Sequence, residues 1–93
     1  MAVIVLDACA LIGYLRDEGG SERIKEVLLR PEDSVIMHVI NVGEVFYDGL
    51  KGNDPKIEDL WNDVADLGIV IRRDTDDEFV AAAARWKANH RIA

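Results

Sequence analysis

Two carboxylates in this chain stand close to places where an apolar run gives way to a helical pattern. Asp7 is the single charged residue of "VIVLDACALIGYL", Val3 to Leu15, and Glu44 lies in "NVGEVFYDGL". Hard cations such as Mg²⁺ and Mn²⁺ take oxygen ligands in near-octahedral geometry and complete the shell with water and substrate phosphate. Two converging carboxylates are half of such a site. Each residue also has a purely structural role open to it. Asp is a strong helix N-cap, a contribution of about 1 kcal/mol. Asn41 with Glu44 three residues on has capping-box spacing. From the residues alone both readings stand.

The remaining reactive residues have structural explanations of their own. Asp48, one helical turn beyond Glu44, offers a third oxygen, but like charges at that spacing repel unless a cation is near. A solvated Asp48 is the expectation. Asp74, Asp76, Asp77 and Glu78 crowd ahead of the last helix, where Thr75 with Glu78 fits a capping box and acids suit the helix dipole. Cys9 sits in an apolar stretch with no histidine placed to activate it, so it is expected in the core. His38 ends the second apolar run, near the mouth of any site there, in a structural role. Arg85, Lys87, His90 and Arg91 make the last stretch basic, either complementing the helix dipole or meeting a phosphate backbone. Glycine-rich phosphate loops, serine nucleophile elbows and zinc spacings are missing. A phosphoaspartyl enzyme also begins with Asp after an apolar strand, but it needs an acid two residues on, where Cys9 stands.

These residues must be positioned by elements that the apolar pattern reveals. Ala2–Leu6 and "SVIMHVI", Ser34–Ile40, are continuous apolar runs of the kind buried on both faces in a parallel sheet, and "GIVI", Gly68–Ile71, is a third. Between them the spacing predicts helices: Ala8–Arg16 with Leu11, Ile12 and Leu15 on one face, then Glu22–Arg30 with Ile24, Val27 and Leu28, stopped by Pro31. Asn41–Leu50 follows. Pro55 then opens a helix bearing Ile57, Leu60, Trp61 and Val64. After "DTDDE" comes a last helix with Phe79, Ala83 and Trp86 on its inner face. Strands separated by helices indicate an α/β fold: a three-layer parallel sheet with helices on both faces. Ligands in such folds bind outside the carboxyl ends of the strands, which places Asp7 and Glu44 at one edge.

Composition narrows the class. Ninety-three residues make one domain, residues 1–93, and 49% hydrophobic with 31% charged residues describes a globular chain with a real core. The net charge of −7 argues against a binder that holds nucleic acid mainly by counterion release. It suits a cation site, a basic partner or plain solubility. No apolar run approaches the roughly 18 residues of a membrane span, and the N-terminus lacks a basic flank and a cleavage pattern. No membrane association and a cytoplasmic location are expected.

Taken together, "VIVLDACALIGYL", "GGSERIKEVL", "NVGEVFYDGL" and "LGIVIRRDTDDEFVAAAARWKANHRIA" resemble, in order, a PIN domain of the VapC-type toxin group. The resemblance covers the whole chain. It implies an Mg²⁺- or Mn²⁺-dependent ribonuclease of a type II toxin–antitoxin system, with RNA as substrate and an antitoxin protein as partner. Asp7 and Glu44 match the first two of the family's clustered acids, and an acid at a helix start can both cap and ligate. Cys9 and His38 stand where the family usually has hydroxyl residues. The family's next catalytic acid falls just after "KANHRIA", so the resemblance implies a C-terminally truncated domain, weakly active or inactive. It also implies a first strand left as an edge, and hence a homodimer or larger assembly covering it. The alternative is a non-catalytic PIN-like module that binds a protein partner.

Overall fold

The apolar runs become strands because each has a buried neighbour within reach on one face. The computed structural model describes residues 2–89, apart from the side chain of Lys87. Element order is β1 (Val3–Val5), α1 (Ala8–Leu15), α2 (Ser21–Leu28), β2 (Ser34–His38), α3 (Val39–Lys51), a one-turn 3₁₀ segment (Ile57–Asp59), α4 (Leu60–Asp66), β3 (Ile69–Arg72) and α5 (Asp77–Asn89). The three strands form one parallel sheet in the order β1-β2-β3.

Register partners share a face of the sheet, so the pairing sorts the side chains. Ile4 pairs with Val35 and Val35 with Ile69; Val5 pairs with Ile36, Ile36 with Val70, and His38 with Arg72. Ile4, Leu6, Val35, Met37 and Ile69 are all buried, in one cluster with Leu11, Ile24, Val27, Val42, Val45, Leu60 and Val64 from α1 to α4. The opposite face carries α5, whose Phe79 stands beside His38. Cover there is partial: Val3 and Val70 remain 50% and 52% exposed. Helices therefore lie on both faces, as the apolar pattern predicts.

Local chemistry moves several boundaries. Gly68, at φ +80°, makes the left-handed turn that feeds β3, a conformation an L side chain rarely adopts. Pro55 lies in a turn rather than at a helix start, and the 3₁₀ turn precedes α4. Ile57, Leu60 and Val64 are buried, but Trp61 faces outward and packs obliquely on Phe46 with ring centroids 5.3 Å apart. Leu15 is half exposed at the end of α1. Cys9 is exposed, contrary to the core position expected for it, because the core face of α1 is taken by Ala8, Ala10 and Leu11.

The sheet keeps an open edge among the described residues, where β1 pairs only with β2. Ser34 N–H donates to the Ala2 carbonyl and Leu6 N–H to the Ile36 carbonyl, both at 2.9 Å. Alternation along a parallel ladder then turns the N–H and C=O groups of Val3 and Val5 away from β2.

Candidate metal edge at the carboxyl ends of the strands

Asp7 follows β1 and caps α1. Its Oδ1 accepts from Ala10 N–H at 2.8 Å, and its backbone is extended at φ −99°, ψ 173°. This is the N-cap geometry, and the half-buried carboxylate also stands at the positive end of the helix dipole. Oδ1 serves the helix in that bond, while a carboxylate's four lone-pair sites leave it able to do more.

Glu44 lies elsewhere on its helix than the capping-box spacing suggests. α3 begins at Val39, not Asn41, and its N-cap is His38, whose Nδ1 accepts from Ile40 N–H at 3.1 Å. Glu44 therefore sits in the second turn, and Asn41 is released from capping. Asn41 Oδ1 instead accepts from Ala8 N–H at 3.3 Å, across to the first turn of α1. One turn of α3 separates Asn41 from Glu44 on neighbouring positions of one stripe. At the far end of that stripe Asp48 meets Arg16, the C-cap of α1, at 2.5 Å. α3 thus runs alongside α1 in the same direction, tied at both ends.

These ties divide the acids. Asp48 is ion-paired to Arg16 rather than simply solvated, and a pair this exposed adds little stability, about 1 kcal/mol at most. Asp74 pairs with Arg72, whose guanidinium lies 4.9 Å from the centroid of the Phe79 ring. Asp76, not Thr75, caps α5 by accepting from Phe79 N–H at 2.8 Å. Glu44 is exposed, and among the described residues it makes no side-chain hydrogen bond or ion pair. Glu44 is thus available as a candidate, and Asp7 is one that also serves as a helix cap.

Their donor set suits a hard divalent cation in kind, being carboxylate oxygen without sulfur or imidazole. It is small: among the described residues no three His, Cys, Asp or Glu side chains are gathered to hold an ion. Asn41, which the sequence pattern assigns to capping α3, instead bridges to the start of α1. Its spacing from Glu44 is the only local signal, and that spacing points to the cap rather than to Ala8. Of the basic residues at the chain's end, Arg85 is exposed on α5, while the side chain of Lys87, and His90 and Arg91, lie outside the described residues.

Parallel strands with helices on both faces define an α/β protein, with Asp7 at the carboxyl end of β1. Residues 4–93 match the PIN domain model, and the chain belongs to the PIN domain family. PIN domains are generally nucleases, acting on RNA with divalent metal ions. No curated protein and no solved structure matches the chain.

Proposed function

We propose that this protein is a metal-dependent endoribonuclease of the VapC toxin type, with Mg²⁺ or Mn²⁺ held by Asp7 and Glu44. The observation that carries this reading is the Asn41–Ala8 hydrogen bond, which draws the Glu44-bearing stripe of α3 to the helix turn capped by Asp7. A divalent ion held by these residues would supply Lewis-acid charge for a phosphodiester and for a water nucleophile. Asp7 and Glu44 contribute the oxygens, and Asn41 holds their two helices together. Two carboxylates leave most of an octahedral shell to water, so the 93 residues are proposed to bind the ion weakly and to turn over slowly or not at all. With a net charge of −7, the chain itself attracts RNA poorly, and a bound ion would offset that repulsion locally.

The test is cleavage of an RNA oligonucleotide with Mg²⁺ or Mn²⁺ and with EDTA, alongside Mn²⁺ binding. Weak Mn²⁺ binding, lost in Glu44→Gln, together with slow cleavage that needs both metal and Glu44, is expected. Cleavage that persists in EDTA or in Glu44→Gln overturns the assignment. Absence of both cleavage and Mn²⁺ binding turns the reading to a non-catalytic module that binds a protein.

The partners proposed are RNA, an antitoxin that covers the acidic edge, and a second copy of the chain in the cytoplasm. The last rests on β1. Among the described residues the outward backbone groups of Val3 and Val5 are unpaired, and the strand carries no lysine or proline that would discourage pairing. Light scattering at micromolar concentration is expected to report a dimer or larger species, returned to monomer by Val3→Lys. A wild-type monomer that unfolds cooperatively overturns this.

A further inference from the structure

His38 makes hydrogen bonds in two directions from the point where β2 becomes α3. Its Nδ1 accepts from Ile40 N–H at 3.1 Å, and its Nε2 lies 2.5 Å from the Asp74 carbonyl oxygen. An amide N–H only donates and a carbonyl only accepts. One form of the ring satisfies both: the neutral imidazole with its proton on Nε2. A proton on Nδ1 would confront the Ile40 N–H. The ring lies beside Phe79, with centroids 6.0 Å apart at 35°, and Arg72, the register partner of His38 in the neighbouring strand, packs its guanidinium over that same Phe79 ring.

Ser, Thr, Asp and Asn cap a helix but reach little farther than its first turn. The imidazole spans more. It ties the start of α3 to the connection between β3 and α5, so one side chain joins two loops at the carboxyl edge of the sheet. Three residues into α3 comes Asn41, bonded to Ala8 beside Asp7, and one turn later comes Glu44. A shift of the first turn of α3 carries both with it.

We infer that His38 is a positioning residue for the candidate metal edge. As the Nε2–H tautomer, it anchors α3 to the Asp74 carbonyl and so sets where Glu44 stands relative to Asp7. It touches neither metal nor RNA in this role and acts through α3. The inference rests on the proposed reading of Asp7 and Glu44 as metal-holding.

Two variants and one spectrum test it on the whole chain. Long-range ¹H–¹⁵N correlation of the wild-type imidazole is expected to show Nε2 protonated and Nδ1 as acceptor; the opposite tautomer overturns the inference. His38→Asn keeps an acceptor for Ile40 N–H but is too short for Asp74, whereas His38→Ala loses both bonds. Mn²⁺ alone is then titrated, reading paramagnetic broadening of the Ala8 and Val45 amides. His38→Asn is expected to melt close to wild type yet bind Mn²⁺ roughly tenfold more weakly, the scale of losing an outer support of a metal ligand. His38→Ala is expected to melt lower and bind no better. Wild-type binding that His38→Asn leaves unchanged overturns the inference and spares the metal reading. No broadening in the wild type overturns both.

Discussion

Asp7→Ser is expected to leave α1 and the fold nearly as stable as wild type while cutting metal-dependent cleavage roughly 100-fold or more. The substitution separates two roles held by one side chain. Asp7 accepts from Ala10 N–H at 2.8 Å as the N-cap, and serine fills that role almost as well. Serine supplies no negative oxygen, so the cation loses one of its two carboxylates. A ligand whose charge stabilises the transition state is worth several kcal/mol, and each 1.4 kcal/mol is about tenfold in rate. Asp7→Ala is expected to lose both functions, with a stability cost of about 1 kcal/mol. Thermal melts set the first effect. Cleavage rates, or Mn²⁺ broadening at the Ala8 amide where cleavage is too slow to follow, set the second. If Ser and Ala differ only in stability, and Ser keeps wild-type metal binding, Asp7 is a cap and nothing more.

Gly49→Ala is expected to destabilise the chain, against the usual direction for a glycine in a helix. Alanine is favoured over glycine in a helix interior by about 1 kcal/mol. At Gly49, however, a Cβ would stand 2.3 Å from Ile57 Cδ1, 2.4 Å from Cγ1 and 3.0 Å from Cβ. The last contact cannot be relieved by a rotamer change, so the 3₁₀ segment must move away from α3. Overpacking of that kind costs about 1–3 kcal/mol and sometimes more, which outweighs the propensity gain. With about 2 kcal/mol for the clash against about 1 kcal/mol of propensity, the net loss of about 1 kcal/mol lowers the melting temperature by about 4–8 °C for a domain of this size. Gly43→Ala, in the same helix, is the control: nothing lies within 4 Å of its Cβ position, so it should melt higher than wild type. Ile57→Ala in the Gly49→Ala background should recover part of the clash cost. A Gly49→Ala protein that melts above wild type would show that α3 and the 3₁₀ segment are not in close contact.

Asp7 and Gly49 lie where α1 and the 3₁₀ segment meet α3, and that helix shows where local pattern suffices and where it does not. Its existence is legible in the chain, because Val42 and Val45 recur at helical spacing after a strand, and both are buried. Its start is not. Asn41 and His38 are both able to end a strand and cap a helix, and Asn is the better cap on intrinsic grounds. What decides between them is the Ala8 N–H, which lies 33 residues away in sequence and takes the Asn41 oxygen. Once Asn41 is engaged there, His38 is left to cap, and Glu44 moves from the first turn to the second.

The amino-acid sequence by itself determined the order of strands and helices, the parallel α/β class and the buried face of most elements. Those properties follow from periodicity and from the chain direction in a parallel sheet, both of which are local or topological. Tertiary structure decided what each polar side chain is committed to. Asp48 is held by Arg16, Asp74 by Arg72 and Asp76 by the first turn of α5, while Cys9 and Trp61 turn outward from helices whose core positions are filled by others. Arg16 comes to Asp48 from 32 residues away, and no spacing along the chain encodes which distant donor arrives within about 3 Å of a carboxylate.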